Sequence, residues 1–403
     1  MVLSASPFGW SSYQRIGLYI LGFGYLADYL INRRWQGWKW HSSKWIYVVM
    51  LALVALFFIR EWFDPTPLTE YAGSQFHLHE WFLYIGIAGL LGFSDKLQLK
   101  HVAYVMLATS IVMFLTCGYI YLFTDECIWG PPFARFNFIR RTEINSHMVM
   151  NLYINTAIIM GFCVLKDEAS PWRKVLLILA ILCSWAFILL SDGRIGQATS
   201  FIIMLTCGWM ALPRKKWYVS AIVAVLFAIG VGTFMLINPR VSLERAVHDP
   251  REAIYDFSWR MIQKKPIVGY GLSTLSNEYV EQAYQDSVMY NGFIASHIQT
   301  VPEFAQLGKT MMTHHAHNAF LHYWLIFGIA GPIWLVAFFV VAACMPVGKK
   351  NRIYLWLFLL AVFIQCMTEP IGYHIKPQFI TLILFAWQLT ALPAPKNEEP
   401  CES

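Results

Sequence analysis

Most of this chain is a succession of apolar stretches cut apart by charged or proline-containing breaks, and nothing else in it restricts the fold as strongly. The eleven stretches run near 15–31, 45–59, 81–94, 101–123, 147–165, 173–190, 195–212, 217–237, 318–345, 353–368 and 377–392. A helix of about 20 apolar residues spans the hydrocarbon core of a bilayer. The expected fold is therefore all-α: a polytopic integral membrane protein of about 11–12 transmembrane helices with one large loop outside the cytoplasm. Composition agrees, because 57% hydrophobic against 13% charged residues and a mean hydropathy of +0.49 are too apolar for a water-soluble globule of this size. A net charge of +6 does not point to nucleic acid, since Lys and Arg fall in short clusters between the apolar stretches.

Those clusters set an orientation, because short cytoplasmic loops carry the excess of Lys and Arg. Every second loop is rich: Arg33, Arg34, Lys39 and Lys44; Lys96 and Lys100; Lys166, Arg173 and Lys174; Arg214, Lys215 and Lys216; Lys349, Lys350 and Arg352. The short loops between carry less: Arg60; Arg135, Arg140 and Arg141; Arg194; Lys376. The C-terminal tail is thus expected in the cytoplasm and, with an odd span count, the N-terminus outside. The start lacks the basic region and small-residue cleavage site of a signal peptide, so the first span is expected to stay. Of the eight cysteines, Cys163, Cys183, Cys207, Cys344 and Cys366 lie in apolar runs and read as small core residues rather than a disulfide framework. Trp and Tyr crowd the span ends, as interfacial anchoring favours.

Three regions follow: an N-terminal transmembrane bundle over 1–237, a large outer loop over 238–317, and C-terminal transmembrane helices with a cytoplasmic tail over 318–403. Only the loop is long enough to hold structure of its own. Within it, Ile254, Phe257 and Met261 recur at helical spacing with Ile262 alongside, and Lys264-Lys265-Pro266 would end the helix. The pattern predicts an amphipathic helix over 251–263 on the outer membrane boundary.

The densest polar cluster, Thr313, His314, His315, His317 and Asn318, lies where this loop re-enters the membrane. Its spacing matches no known zinc signature, so no metal site is expected. A neutral imidazole here suits a general base acting on a hydroxyl, while wetted interfacial histidines without chemistry are the plain alternative. Arg194 sits in the tight Ser191-Asp192-Gly193-Arg194 link; it would pair with Asp192, or offer its planar donor fork to a phosphate. Arg240, Arg245, Arg251 and Arg260 carry the same choice, with snorkelling to the interface as the plain alternative and Glu244, Asp249, Glu252 and Asp256 diluting the charge. Gly269-Tyr270-Gly271 would bring backbone amides to a phosphate or simply form a turn. His77-Leu78-His79-Glu80 reads as a polar edge. Asp28 and Glu369, near span ends, would be the coupling acids of a transporter or flippase, but no repeat accompanies them.

Three segments, in order, resemble the bacterial O-antigen ligase and O-antigen polymerase superfamily: Leu189-Leu190-Ser191-Asp192-Gly193-Arg194; Arg251 through Tyr255 to Pro266-Ile267-Val268-Gly269-Tyr270-Gly271; and His315-Ala316-His317-Asn318-Ala319-Phe320-Leu321 continued by Phe327-Gly328-Ile329-Ala330-Gly331. His147-Met148 is a weaker likeness. The resemblance, covering 140–345, is most like an O-antigen ligase. It implies a metal-independent, cofactor-free glycosyltransferase of the bacterial inner membrane that moves a glycan from undecaprenyl diphosphate to a lipid A–core sugar hydroxyl on the periplasmic side. It also implies that Arg194 and Arg251 bind the diphosphate and His317 deprotonates the acceptor, with His315, Asn318, Gly269 and Gly271 as further substrate contacts. Polymerisation of carrier-linked repeat units is the alternative. Expected partners are those two substrates and membrane lipids, and no nucleic acid.

Overall fold

The computed structural model describes residues 44–64, 98–123, 147–190, 193–211, 251–295 and 316–368, with isolated helical positions elsewhere. All the regular elements among these residues are helical: α1 (Lys44–Trp62), α2 (Leu99–Phe123), α3 (His147–Asp167), α4 (Pro171–Leu190), α5 (Arg194–Ala211), α6 (Arg251–Lys264), α7 (Leu272–Gln285), a short turn Ser287–Met289 running into the π-helical segment Tyr290–Ile294, then α8 (Ala319–Phe327), α9 (Ala330–Ala343) and α10 (Arg352–Cys366). The protein is an all-α membrane protein. Windows of α1, α2 and α4 are long and apolar enough to cross a bilayer. The expected spans near 15–31, 81–94, 217–237 and 377–392, and with them Asp28, His77, His79, Glu80, Arg240, Arg245 and Glu369, lie outside the described residues or rest on isolated positions.

Helices α2, α3, α4, α5 and α10 form a bundle around α3, whose Ile154, Ala157, Ile158 and Met160 are fully buried. Lipid offers no hydrophobic drive between helices, so small and amide-bearing residues decide where they meet. A Cβ on Gly196 of α5 would collide with the Asn151 side chain of α3. Asn151 Nδ2 donates to Gly193 O (3.4 Å) and Asn155 Nδ2 to Gly196 O (3.1 Å). Between α2 and α4, the Ser110 and Ser184 hydroxyls share a buried hydrogen bond. At the other end of α3, Cys163 Sγ meets Asn351 Oδ1 (3.4 Å) and Lys166 Nζ donates to Lys350 O (3.3 Å), so α10 starts where α3 ends and runs antiparallel to it. Cys163, Cys207 and Cys366 are buried as expected of core residues, but Cys344, just past α9, is exposed.

The span expected over 318–345 is not one helix. Gly328 has φ +62°, and Gly331 packs on the backbone of Tyr323 while the Tyr323 and Trp334 rings lie 5.4 Å apart. Residues eight and eleven apart lie about 12 and 16 Å apart along a straight helix, so α9 folds back on α8. Helix α9 then packs on α10 of the bundle and on α1, the latter through Trp334 Nε1 to Val49 O (2.6 Å). Periodicity could not see this break, because both arms are apolar and the break needs only one glycine of the right conformation.

Helix α8 instead pairs with α6. Contacts step in register: Tyr255 with His317, the Trp259 ring on that of Trp324 (5.6 Å), and Trp324 Nε1 to Pro266 O (2.8 Å). The two therefore run parallel, their N-terminal ends together. The helix expected over 251–263 is present, but its apolar face, Ile254, Phe257, Met261 and Ile262, is buried in the protein core rather than laid on a membrane surface. Phe257 packs edge-on to Tyr279 of α7 (5.0 Å), and Ser258 shares a hydrogen bond with the Tyr279 hydroxyl (2.8 Å).

Candidate active site

The site is built from helix starts. Tyr255, one turn into α6, donates its hydroxyl to the backbone oxygen of His317 (3.2 Å) and to that of Met367 (2.9 Å), just past the C-terminus of α10. The second acceptor is among the last carbonyls of a helix, which lack an intrahelical partner. Arg251 precedes Tyr255 by four residues, so the two share a face and stand about 6 Å apart along the axis. One phenol thus ties the Arg251 end of α6, the His317 end of α8 and the Met367 end of α10 to one another.

Arg194 belongs to the same end. Asn351 and Cys163 lie at one level, and moving 12 residues along α10 and α3 carries both about 18 Å, to Phe363 and Asn151. Asn151 is the residue that holds Gly193, immediately before Arg194. Gly193 O also accepts from Gln197 N (2.9 Å), opening α5, and Gln197 Nε2 returns to Leu189 O (3.2 Å), which ties the link to α4. The backbones of Arg194, Arg251 and His317, far apart in sequence, are therefore gathered at one end of the molecule. His147, opening α3, is there too. The side chains of Arg194 and His147, and all of Asp192, His314 and His315, lie outside the described residues.

His317 is half-buried, with its ring centre 6.3 Å from that of Phe293. Its φ of +46° is positive, unlike that of any other described non-glycine residue. A non-glycine residue held there stores about 1–3 kcal/mol and persists only where its surroundings over-determine it. The bond from Tyr255 is one restraint, and Asn318 is the other. Its Oδ1 accepts from Phe320 N (2.9 Å) and Leu321 N (3.2 Å), capping α8. Asn318 is 6% exposed, and this bonding gives it a capping role. The N-termini of α5, α6 and α8 lie at this end of the molecule, and helix N-termini favour anions.

Of the two expectations for Gly269-Tyr270-Gly271, the structure shows a turn. Gly269 N donates to Lys265 O (3.1 Å), Tyr270 N to Leu325 O (2.6 Å) and Gly271 N to Ile326 O (3.0 Å), so these amides satisfy carbonyls at the ends of α6 and α8. Both glycines have positive φ (67° and 81°), and a Cβ on Gly269 would stand 2.5 Å from Gly328 N. The two glycine-rich segments, nearly sixty residues apart, interlock backbone to backbone. The end of α1 clamps this turn: Arg60 donates to Val268 O (3.0 Å) and Gly269 O (3.2 Å), Glu61 accepts from Leu272 N (2.7 Å) and the Ser273 hydroxyl (3.0 Å), and Asp64 accepts from Thr274 N (3.3 Å). Carboxylates at the N-terminus of α7 complement its dipole. Their only sequence signal was a charged cluster closing an apolar span.

Arg260 is a structural cation. It grips Asp286 with both nitrogens (2.6 and 3.1 Å) and Asp256 at 3.0 Å. Burial would raise the Asp286 carboxyl, but its bonds from Arg260 and from Met289 N (2.9 Å) outweigh that and hold it below the ordinary aspartate range. No group of three His, Cys, Asp or Glu side chains converges as metal ligands would among the described residues.

Residues 179–336 match the family model described as O-Antigen ligase; Arg194, Arg251, Gly269, Gly271 and His317 all fall inside it. No curated protein matches the chain. The family points to a glycosyltransferase-like enzyme of the O-antigen pathway, acting in general on glycan and lipid substrates. Together with the helical membrane fold, this match makes residues 179–336 similar to the O-antigen ligase and polymerase superfamily.

Proposed function

We propose that the protein is an O-antigen ligase, transferring a polysaccharide from undecaprenyl diphosphate to a sugar hydroxyl of lipid A–core at the periplasmic face of the bacterial inner membrane. His317 takes the proton of the acceptor hydroxyl. The freed oxygen attacks the anomeric carbon from the face opposite the leaving group, so that configuration inverts. The carbon–oxygen bond to the carrier breaks and its electron pair departs on undecaprenyl diphosphate. Arg194 and Arg251 neutralise the charge growing there, which lets the reaction run without a metal. The observation that carries the reading is the gathering of the Arg194, Arg251 and His317 helix starts at one end of the bundle, tied together by Tyr255 and by Asn151.

The test is deletion in the host followed by electrophoresis of its lipopolysaccharide. Loss of all capped material, with carrier-linked polymer accumulating, is the expected result. Core bearing a single repeat unit would instead make the protein a polymerase, which uses the same chemistry. Complementation with His317→Ala, inserted at normal levels, should leave transfer down by about 10²–10⁴; full activity would remove the imidazole from the mechanism.

A further inference from the structure

At the end of the bundle opposite the candidate active site, α3, α4, α5 and α10 enclose a cavity of about 550 Å³, within the range of about 300–1,000 Å³ of small-molecule sites. Its lining is divided by chemistry. Lys166 and Lys174 bring two ammonium groups, Trp209 and Tyr354 bring rings with a polar tip, and Ile178 and Met210 bring apolar surface. Lys166, Lys174, Trp209, Ile178 and Met210 are exposed, whereas Tyr354 is 3% exposed and forms the back wall. Lys166 is held in place by its bond to Lys350 O.

The surrounding charge is positive. Arg173, Lys349, Lys350 and Arg352 join the two lysines, against Asp167 and Glu168. Glu168 is already occupied by Ser170 N (3.0 Å) and the Tyr104 hydroxyl (3.1 Å), and Asp167 is exposed. Such a basic, aromatic-rimmed mouth opening between apolar helices matches one kind of ligand: a negative headgroup with a hydrocarbon tail. The loops here are those whose excess of Lys and Arg marks the expected cytoplasmic side.

We infer that this cavity binds an anionic phospholipid, its phosphate between Lys166 and Lys174 and the start of one acyl chain along Ile178 and Met210. The inference is independent of the proposed glycan transfer, since no residue is shared. A basic residue beside an anionic headgroup is worth about fivefold in binding, so losing both lysines predicts a drop on the order of 20-fold.

The experiment is native mass spectrometry of the purified full-length protein in detergent, offered phosphatidylglycerol and phosphatidylcholine in equal amounts. Wild type is expected to retain phosphatidylglycerol preferentially, and less of it as salt rises. Lys166→Gln/Lys174→Gln should lose the preference while unfolding at the wild-type temperature, and Lys166→Arg/Lys174→Arg should keep it. Equal retention of the two lipids by wild type, or undiminished phosphatidylglycerol on the Gln variant, would overturn the proposal. So would release of the lipid by millimolar inorganic phosphate, which would make this a site for the free anion.

Discussion

The bundle around α3 and the layer of α6, α7 and α8 are both helical and both apolar inside, yet they are fastened in opposite ways. In the bundle, position is set by close approach: Gly196 against Asn151, Gly161 with a prospective Cβ 3.0 Å from Ile181 and Leu107, and paired serine hydroxyls. In the layer it is set by backbone groups and charge: the amides of 269–271 on the carbonyls of α6 and α8, the α1 carboxylates on the start of α7, and Arg260 on Asp286. The difference teaches where each is vulnerable. Lipid does not compete for hydrogen bonds and gives no hydrophobic drive, so shape decides; in the layer of α6, α7 and α8, caps and ion pairs must hold the ends of short helices.

If that contrast is right, the largest effect should come at the joint between the two regions. Gly328→Ala combines a positive φ with a Cβ driven into Ile267 O, both backbone faults that no side chain can relieve. It should destabilise the protein by at least about 3 kcal/mol, seen as early thermal unfolding in detergent; a near-wild-type midpoint would mean the fold-back of α8 and α9 is soft. Gly196→Ala must part α3 from α5, at about 1–3 kcal/mol, and should shift the midpoint without any change in its pH dependence. Tyr255→Phe removes the one hydroxyl proton shared between the His317 and Met367 carbonyls, worth about 1 kcal/mol, and releases His317. Transfer should fall about tenfold while the protein stays folded, with its unfolding midpoint lowered only as far as the lost bond requires, and an unchanged rate would leave Tyr255 out of the positioning of His317. Smallest is Asp286→Asn. Because the Asp286 carboxyl is held below its ordinary 3.8, the pair's contribution is complete above that pH and is lost as pH falls through the lower, folded value. Hydrogen exchange over 287–294 should therefore quicken on acidification in wild type, and be fast at every pH in the variant.

Much of the architecture was legible because apolar length and charge spacing are properties of the chain alone. The helices at 44–62, 99–123, 147–167, 171–190 and 194–211 fall where unbroken apolar runs put them, and Pro266 closes α6 as its missing amide requires. Periodicity also found which face of α6 is apolar. It could not find what covers that face, since lipid and protein select the same residues, and only contacts with α7 and α8 decided for protein.

The site shows the same division. Motif order singled out Arg194, Arg251 and His317, because residue types and their order are local. That Gly269 and Gly271 form a joint, that Asn318 is a cap, and that Arg260 belongs to Asp286 depended on partners brought in from elsewhere in the chain. Tyr255 went unassigned because a tyrosine in an amphipathic helix carries no mark of the two carbonyls it will bridge.

By itself, then, the sequence determined a helical protein for a membrane, because hydropathy and charge act residue by residue. Tertiary structure alone decided that α8 turns back at Gly328 and that the three helix starts share one end. Those are consequences of which backbone groups meet, and a backbone hydrogen bond is chosen by geometry rather than by the side chain that the sequence names.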